Sequence, residues 1–197
     1  MDWKSKRGLR AAVGAGVTAL LLTGCGGGDA TADAAPAGWG TLTTERLSVA
    51  YPKGFKEVPA EKGSPYEVAR ATLTEDGVMT ASMTVEFDFG TGMNTADMAA
   101  VGAESRVQLG ATPVKTTEID VAGPDGPEEA RKITYTFTSK GKKGTPPKGT
   151  ELAGVMLTGV DTRQRPYLIT VNSKEGTLSR GDVSGIIDSI ALKDTKK

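Results

Sequence analysis

The chain of 197 residues contains no histidine. That absence removes the usual general base and proton shuttle, Ser-His-Asp and Cys-His catalysis, and the commonest transition-metal ligand. There is one cysteine, Cys25, so no internal disulfide can form and the core must suffice alone. No long apolar run follows residue 24, so no second segment reads as a membrane span. No glycine-rich phosphate loop opens a helix: Gly90 and Gly92 precede one, but the lysine and the spacing are missing. Excess positive charge is lacking too. Four of the 24 basic residues and one of the 24 acidic ones lie in residues 1–24, which leaves 20 and 23 and a net charge of −3 for the remainder. A mildly acidic domain argues against a nucleic-acid role, which needs a basic footprint. No metal site and no cofactor are expected.

What is present begins at the N-terminus. Residues 3–10, WKSKRGLR, form a positive n-region, and residues 11–23, AAVGAGVTALLLT, an apolar h-region too short to cross a bilayer. The segment ends in Leu22-Thr23-Gly24-Cys25, which resembles the lipobox of bacterial lipoproteins. The resemblance implies cleavage between Gly24 and Cys25, and a diacylglyceryl group with palmitate-type chains on Cys25. Residues 1–24 are then a signal peptide and the chain is held on the outer face of the cytoplasmic membrane. Two acyl chains anchor stably where one would be marginal. Lys6-Arg7 is not an arginine pair, so general secretion is favoured over a twin-arginine route. Residues 25–40 are mostly Gly, Ala, Asp and Pro with almost nothing to bury, a lipidated N-terminus and flexible tether in which Thr31 is open to glycosylation. A single domain is expected over 41–193, with a disordered tail at 194–197.

Within that domain alternation marks the strands. The clearest is 79–89, where Met79, Ala81, Met83, Val85, Phe87 and Phe89 are expected on the core face and Thr80, Ser82, Thr84, Glu86 and Asp88 on the other. Further strands read at 46–52, 66–74, 113–122, 129–138, 151–160 and 165–172, with a short one at 189–192. A helix is expected at 95–109, capped by Asn94 or Thr95, its apolar stripe Met98, Val101 and Leu109, its end at Gly110. A second covers 179–188, with capping-box spacing between Ser179 and Asp182 and a stripe of Val183, Ile186, Ile187 and Ile190. The fold class is α+β: a central antiparallel β-sheet with two main helices packed on it.

This order of elements resembles the PsbP-like fold, shared by PsbP photosystem subunits, the Ran-binding Mog protein and the LpqN-type lipoproteins of actinobacteria. The likeness rests on Leu47-Ser48-Val49-Ala50-Tyr51-Pro52-Lys53-Gly54-Phe55, on Val121-Ala122-Gly123 before the Arg131–Phe137 strand, on Arg165–Val171, and on Ile186-Ile187-Asp188-Ser189-Ile190. It implies an accessory or docking protein of an actinobacterial cell envelope and brings no active site with it.

Four features invite a functional reading. Glu86 with Asp88, and Glu118 with Asp120, could serve as acid–base pairs or calcium ligands, though a solvated sheet face explains them as well. Arg180-Gly181-Asp182 spells an integrin-type tripeptide, and also the first turn of a helix. Met79, Met83, Phe87 and Phe89 could line an apolar cavity, or simply pack. The segment 139–150, SKGKKGTPPKGT, reads as a long mobile loop whose Lys140, Lys142, Lys143 and Lys148 could meet an anionic lipid, wall polymer or acidic partner. The expectation is a non-catalytic binding or docking module for an envelope protein partner or a small apolar ligand; the alternative is a carboxylate-dependent hydrolase of the envelope.

Overall fold

A computed structural model describes residues 35–107, 111 and 114–194. The export segment, Cys25, Thr31, Leu109 and Gly110 lie outside the described residues. The elements in chain order are β1 (Gly40–Thr43), β2 (Leu47–Tyr51), β3 (Lys56–Val58), β4 (Glu67–Glu75), β5 (Val78–Phe87), α1 (Ala96–Glu104), β6 (Lys115–Gly123), β7 (Gly126–Thr138), β8 (Glu151–Val160), β9 (Pro166–Lys174), α2 (Arg180–Asp188) and β10 (Ala191–Leu192). All ten strands join one sheet in the order β1-β2-β10-β6-β7-β8-β9-β5-β4-β3. Every pairing is antiparallel except that of β10 with β6.

The expected architecture of helices packed on a central sheet needs correcting. The sheet is long enough to curl on itself and nearly close, and the two helices have only nine residues each. Leu42 and Val49, from one end of the strand order, share a cluster with Ala71 and Met83, from the other, and with Leu157 and Ile169 between them. Sheet thus buries sheet. Tyr51 Oη, at the end of β2, donates to Glu57 Oε1 on β3 (3.1 Å) across the gap. α2 adds Ile186 to this interior, and Ile190 follows just after it. Its Ser179–Asp182 capping box is formed, so the carboxylate of the integrin-type tripeptide is held by the cap. Trp39, assigned to the tether, packs against the same core.

α1 lies on the outer face of the sheet, and its expected stripe is on the wrong side. Met98 is 48% and Val101 69% exposed, while Ala96, Ala99, Ala100, Gly102 and Ala103 are buried. Small residues let the helix approach closely, and Met93 fills the remaining space over Gly102, where a Cβ would lie 2.2 Å from Met93 Cε. Ala99, Ala100 and Ala103 meet Ile133, Tyr135, Met156 and Leu168 in a second cluster. Phe89 joins this second cluster rather than the first, because Asp88 takes a left-handed conformation (φ 52°) and breaks the alternation of β5.

Arg46 ties the curl together. Its side chain is 2% exposed, with Nε 2.7 Å from Asp161 Oδ2, itself 1% exposed. The N–H points off that line, so the contact is ionic rather than an aligned hydrogen bond. Nη1 donates to Asp88 Oδ1 (3.0 Å) and Nη2 to the carbonyls of Arg165 (2.8 Å) and Pro166 (3.2 Å). The guanidinium also lies 4.2 Å from the Phe87 ring centroid. Asp161 accepts from the backbone N–H groups of Arg163 and Arg165, both at 2.9 Å.

Burial pushes the Asp161 carboxyl up. The Arg165 N–H, the charge of Arg46 and the other donors outweigh it and hold the group below its ordinary value. Such a group stabilises the fold above the unfolded carboxyl pKa, near 3.9, and loses that contribution as pH falls through the folded value. Arg46→Ala should cost about 3 kcal/mol in urea unfolding at neutral pH, since Asp161 loses its buried partner and keeps only the more exposed Arg165 guanidinium (3.1 Å). The stability gap between the parent and Asp161→Asn should shrink as pH falls from 5 to 2; a constant gap would rule out this linkage. Val85, fully buried, gives the register test: Val85→Asp should destabilise by more than about 3 kcal/mol in thermal melts, by burying an unpaired charge.

Candidate functional site

The outer face of the same strands carries a groove of about 300 Å³. Register places its floor in rows. Tyr135 on β7 faces Gly154 on β8, Gly154 faces Asn172 on β9, and Asn172 faces Ser82 on β5. The next row runs Met156, Thr170, Thr84 and Arg70. The polar face of β5 expected from alternation is therefore the middle of this floor. Gly154 is required: a Cβ there would lie 2.2 Å from Tyr135 Cζ, so the tyrosine ring lies across β8 only because glycine is beneath it. Its hydroxyl donates to Asn172 Oδ1 (2.9 Å). Burial pushes the Tyr135 pKa up to about 12, so the phenol stays protonated at neutral pH.

The walls are charged. Arg70 Nε and Nη2 donate to the two oxygens of Glu67 (2.7 and 2.8 Å), and Nη2 also to Glu61 Oε2 (2.7 Å). The Glu67 side chain is 4% exposed and accepts the Glu61 N–H as well (2.9 Å). Opposite, in the turn after α1, Arg106 Nη2 lies 2.6 Å from Glu86 Oε2. Its guanidinium is 5.7 Å from the ring centroids of both Tyr66 and Phe89. Glu86 is directly across from Glu67 in the β4–β5 register. Burial raises the Glu86 pKa; Arg106 lowers it and Glu67 raises it further. A donor-and-acceptor floor between two arginine–glutamate pairs suits the recognition of a polar group more than it suits apolar binding.

The residues singled out from sequence are dispersed. Met83 and Phe87 pack in the interior cluster, Phe89 in the outer one, and Met79 lines a second cleft beside the groove, so the four do not line one cavity. Asp88 is 56% exposed at its side chain and faces Arg46, not Glu86; Glu118, 73% exposed, lies 4.0 Å from Arg131. All four loop lysines are exposed, but only Lys140 and Lys142 line the second cleft. Among the described residues no group of three His, Cys, Asp or Glu could hold a metal ion, and no helix is long and apolar enough to cross a membrane. Glu67, Arg70, Arg106, Tyr135 and Asn172 escaped the sequence reading. The only signal that could have found them is the polar half of β5, which says that something faces it.

No family model and no curated protein matches the chain. Among solved structures, it is similar to a protein of Bacteroides thetaiotaomicron at 11% identity and a TM-score of 0.44, over 77% of this chain but 46% of that one. It is also similar to the Ran-binding protein Mog1p of Saccharomyces cerevisiae at 14% identity and a TM-score of 0.41, over 74% of this chain and 80% of that one. Likeness at this level transfers neither partner nor activity to this chain.

The raised Glu86 pKa carries a prediction. A carboxyl whose folded pKa exceeds its unfolded one loses stability for the fold as pH rises and it ionises. Glu86→Gln mimics the protonated form. Its melting temperature at pH 7 should equal or exceed the parent's, and the advantage should vanish near pH 3. A loss of more than about 1 kcal/mol at pH 7 would mean that the Arg106 pair outweighs desolvation.

Proposed function

We propose that this chain is a lipoprotein held on the outer face of the cytoplasmic membrane through Cys25, its curled-sheet domain acting as a non-catalytic binding or docking module for a partner in the cell envelope. The observation that carries the anchor is Leu22-Thr23-Gly24-Cys25 behind a basic n-region and a short apolar h-region. The groove supports the binding role: its floor is built from strand residues held in register, and its Glu67 is already committed to Arg70. The ligand this favours is a polar segment of an envelope protein. Of the apolar residues once available for a greasy ligand, Met83, Phe87 and Phe89 are spent on the two cores.

A second reading, a carboxylate-dependent hydrolase of the envelope, is favoured by one observation. Glu86 and Glu67 face each other across adjacent strands and the Glu86 pKa is raised, as for a general acid. Glu86→Gln separates the two readings: hydrolysis of envelope material by the parent, lost in this variant, would favour the enzyme.

The anchor is tested by growing cells on an alkyne-tagged fatty acid. The parent should be labelled and sediment with membranes. Cys25→Ser should be unlabelled and should leave the lipid-bound pool. Equal labelling of the two would end the lipoprotein reading.

A further inference from the structure

The segment between β7 and β8 is not the open mobile loop that its composition suggests. It closes on itself. The Ser139 N–H donates to the Thr150 carbonyl (2.8 Å) and the Gly149 N–H to the Ser139 carbonyl (2.9 Å). Ser139, 6% exposed, sends its hydroxyl to the Pro146 carbonyl (2.6 Å) and accepts the Gly141 N–H (3.1 Å). Its far side reaches β5, where the Met79 N–H donates to the Gly144 carbonyl (2.8 Å). Since β8 and β9 separate β7 from β5, the segment is a strap thrown across two strand ends.

Beneath the strap lies a cleft of about 230 Å³. Lys140 and Lys142 stand in its wall; Lys143 and Lys148 do not. Thr80 lines it as well. Leu73 pairs with Ala81 and Thr74 with Met79, so Thr80 is the extra residue of a β-bulge, with no partner on β4. The residue is 7% exposed, and its Oγ1 has no hydrogen-bond partner among the described residues. An unpaired buried hydroxyl is costly and asks for an explanation. Phe137, Pro146 and Leu152 supply apolar wall.

Two ammonium groups and an unpartnered hydroxyl beside apolar carbon select a compact, multiply charged anion with a nonpolar substituent. Lysine suits phosphate as a point charge, and two lysines suit a dianion. The cleft is smaller than the roughly 300–1,000 Å³ of sites that enclose a whole small molecule, so it fits the head of a ligand. Ser82, Phe137 and Asn172 border both cleft and groove, and the rest of the ligand can continue there.

We propose that the cleft under the 139–150 strap binds a phosphate monoester, with the phosphate between Lys140 and Lys142, an oxygen accepting from the Thr80 hydroxyl, and the substituent against Phe137 and Leu152. The site belongs to the domain and does not depend on lipid at Cys25, so it stands or falls separately from the anchor.

The test uses the full chain carrying Cys25→Ser in a non-ionic detergent, titrated calorimetrically with phenyl phosphate. Saturable binding at one site is expected. Thr80→Val should weaken it about fivefold or more, with Thr80→Ser restoring it. Lys140→Gln with Lys142→Gln should weaken it roughly tenfold or more, while Lys143→Gln with Lys148→Gln, the same change of charge outside the cleft, should stay within about twofold. Absence of saturable binding overturns the site, as does an equal loss from the two lysine pairs, which would show diffuse charge only. Unchanged affinity in a folded Thr80→Val also overturns it. If that variant fails to fold, Thr80→Ser and the lysine pairs carry the decision. Inorganic phosphate and dihexanoyl phosphatidic acid, titrated in parallel, complete the test: phenyl phosphate preferred over both points to a soluble phosphate ester, preference for the phosphatidic acid to a lipid headgroup, and inorganic phosphate bound as tightly as phenyl phosphate would overturn the monoester assignment.

Discussion

Arg46 brings a full positive charge into the interior, its side chain 2% exposed, and the surrounding structure has to be built to satisfy it. Its guanidinium is shared among the turn at Asp161, the left-handed corner at Asp88 and the carbonyls of Arg165 and Pro166. These partners come from the end of β5 and from the β8–β9 hairpin, 42 residues away along the chain at Asp88 and 119 at Arg165. A hydrophobic residue in this place would have no directional bonds to keep. A buried ion has them, and each donor must keep its acceptor. The pair therefore specifies one geometry for the curl more than it adds stability, and the two faces of the sheet inherit their positions from it.

Those faces divide the work. Along β5, Met83 and Val85 lie inside while Ser82, Thr84 and Glu86 lie outside, and β9 repeats the division with Ile169 and Val171 against Thr170 and Asn172. A rigid interior thus holds the groove floor in register without any dedicated support. Two wall residues come from pieces whose positions the sheet does not dictate: Arg106 from the turn after α1, and Glu61 from the stretch ahead of β4.

This division explains what was legible in the sequence. Alternation located β5, β7, β8 and β9 to within a few residues, and the Ser179–Asp182 spacing located α2, because both signals are local. The short strands β1 and β3, four and three residues long, carry too few positions to show a period, and without them the closing of the sheet was invisible. The face of α1 was misjudged because hydrophobicity ranks Met98 and Val101 above alanine, whereas the site demanded small volume. Phe89 was assigned to the wrong core because one left-handed residue, Asp88, ended the alternation early. The groove escaped for a different reason. Glu67, Arg106 and Asn172 have no common spacing in the chain and become neighbours only through pairing and the turn after α1.

The two-residue strand β10 has an importance out of proportion to its length. β2 touches the rest of the sheet's ladder only through β1 on one side and β10 on the other, and β10 in turn joins it to β6. Lys193 completes the seam, its N–H reaching the Arg46 carbonyl (2.9 Å) and its ammonium the Thr44 carbonyl (2.6 Å). The β1–β2 hairpin is therefore stitched in by residues far along the chain, up to 149 positions on at the Lys193–Thr44 contact. Contacts so distant along the chain are late to form, because a large loop must be closed before they give any return. As the polypeptide emerges with its N-terminus leading, the sheet stays unzipped along this seam until residue 192 arrives.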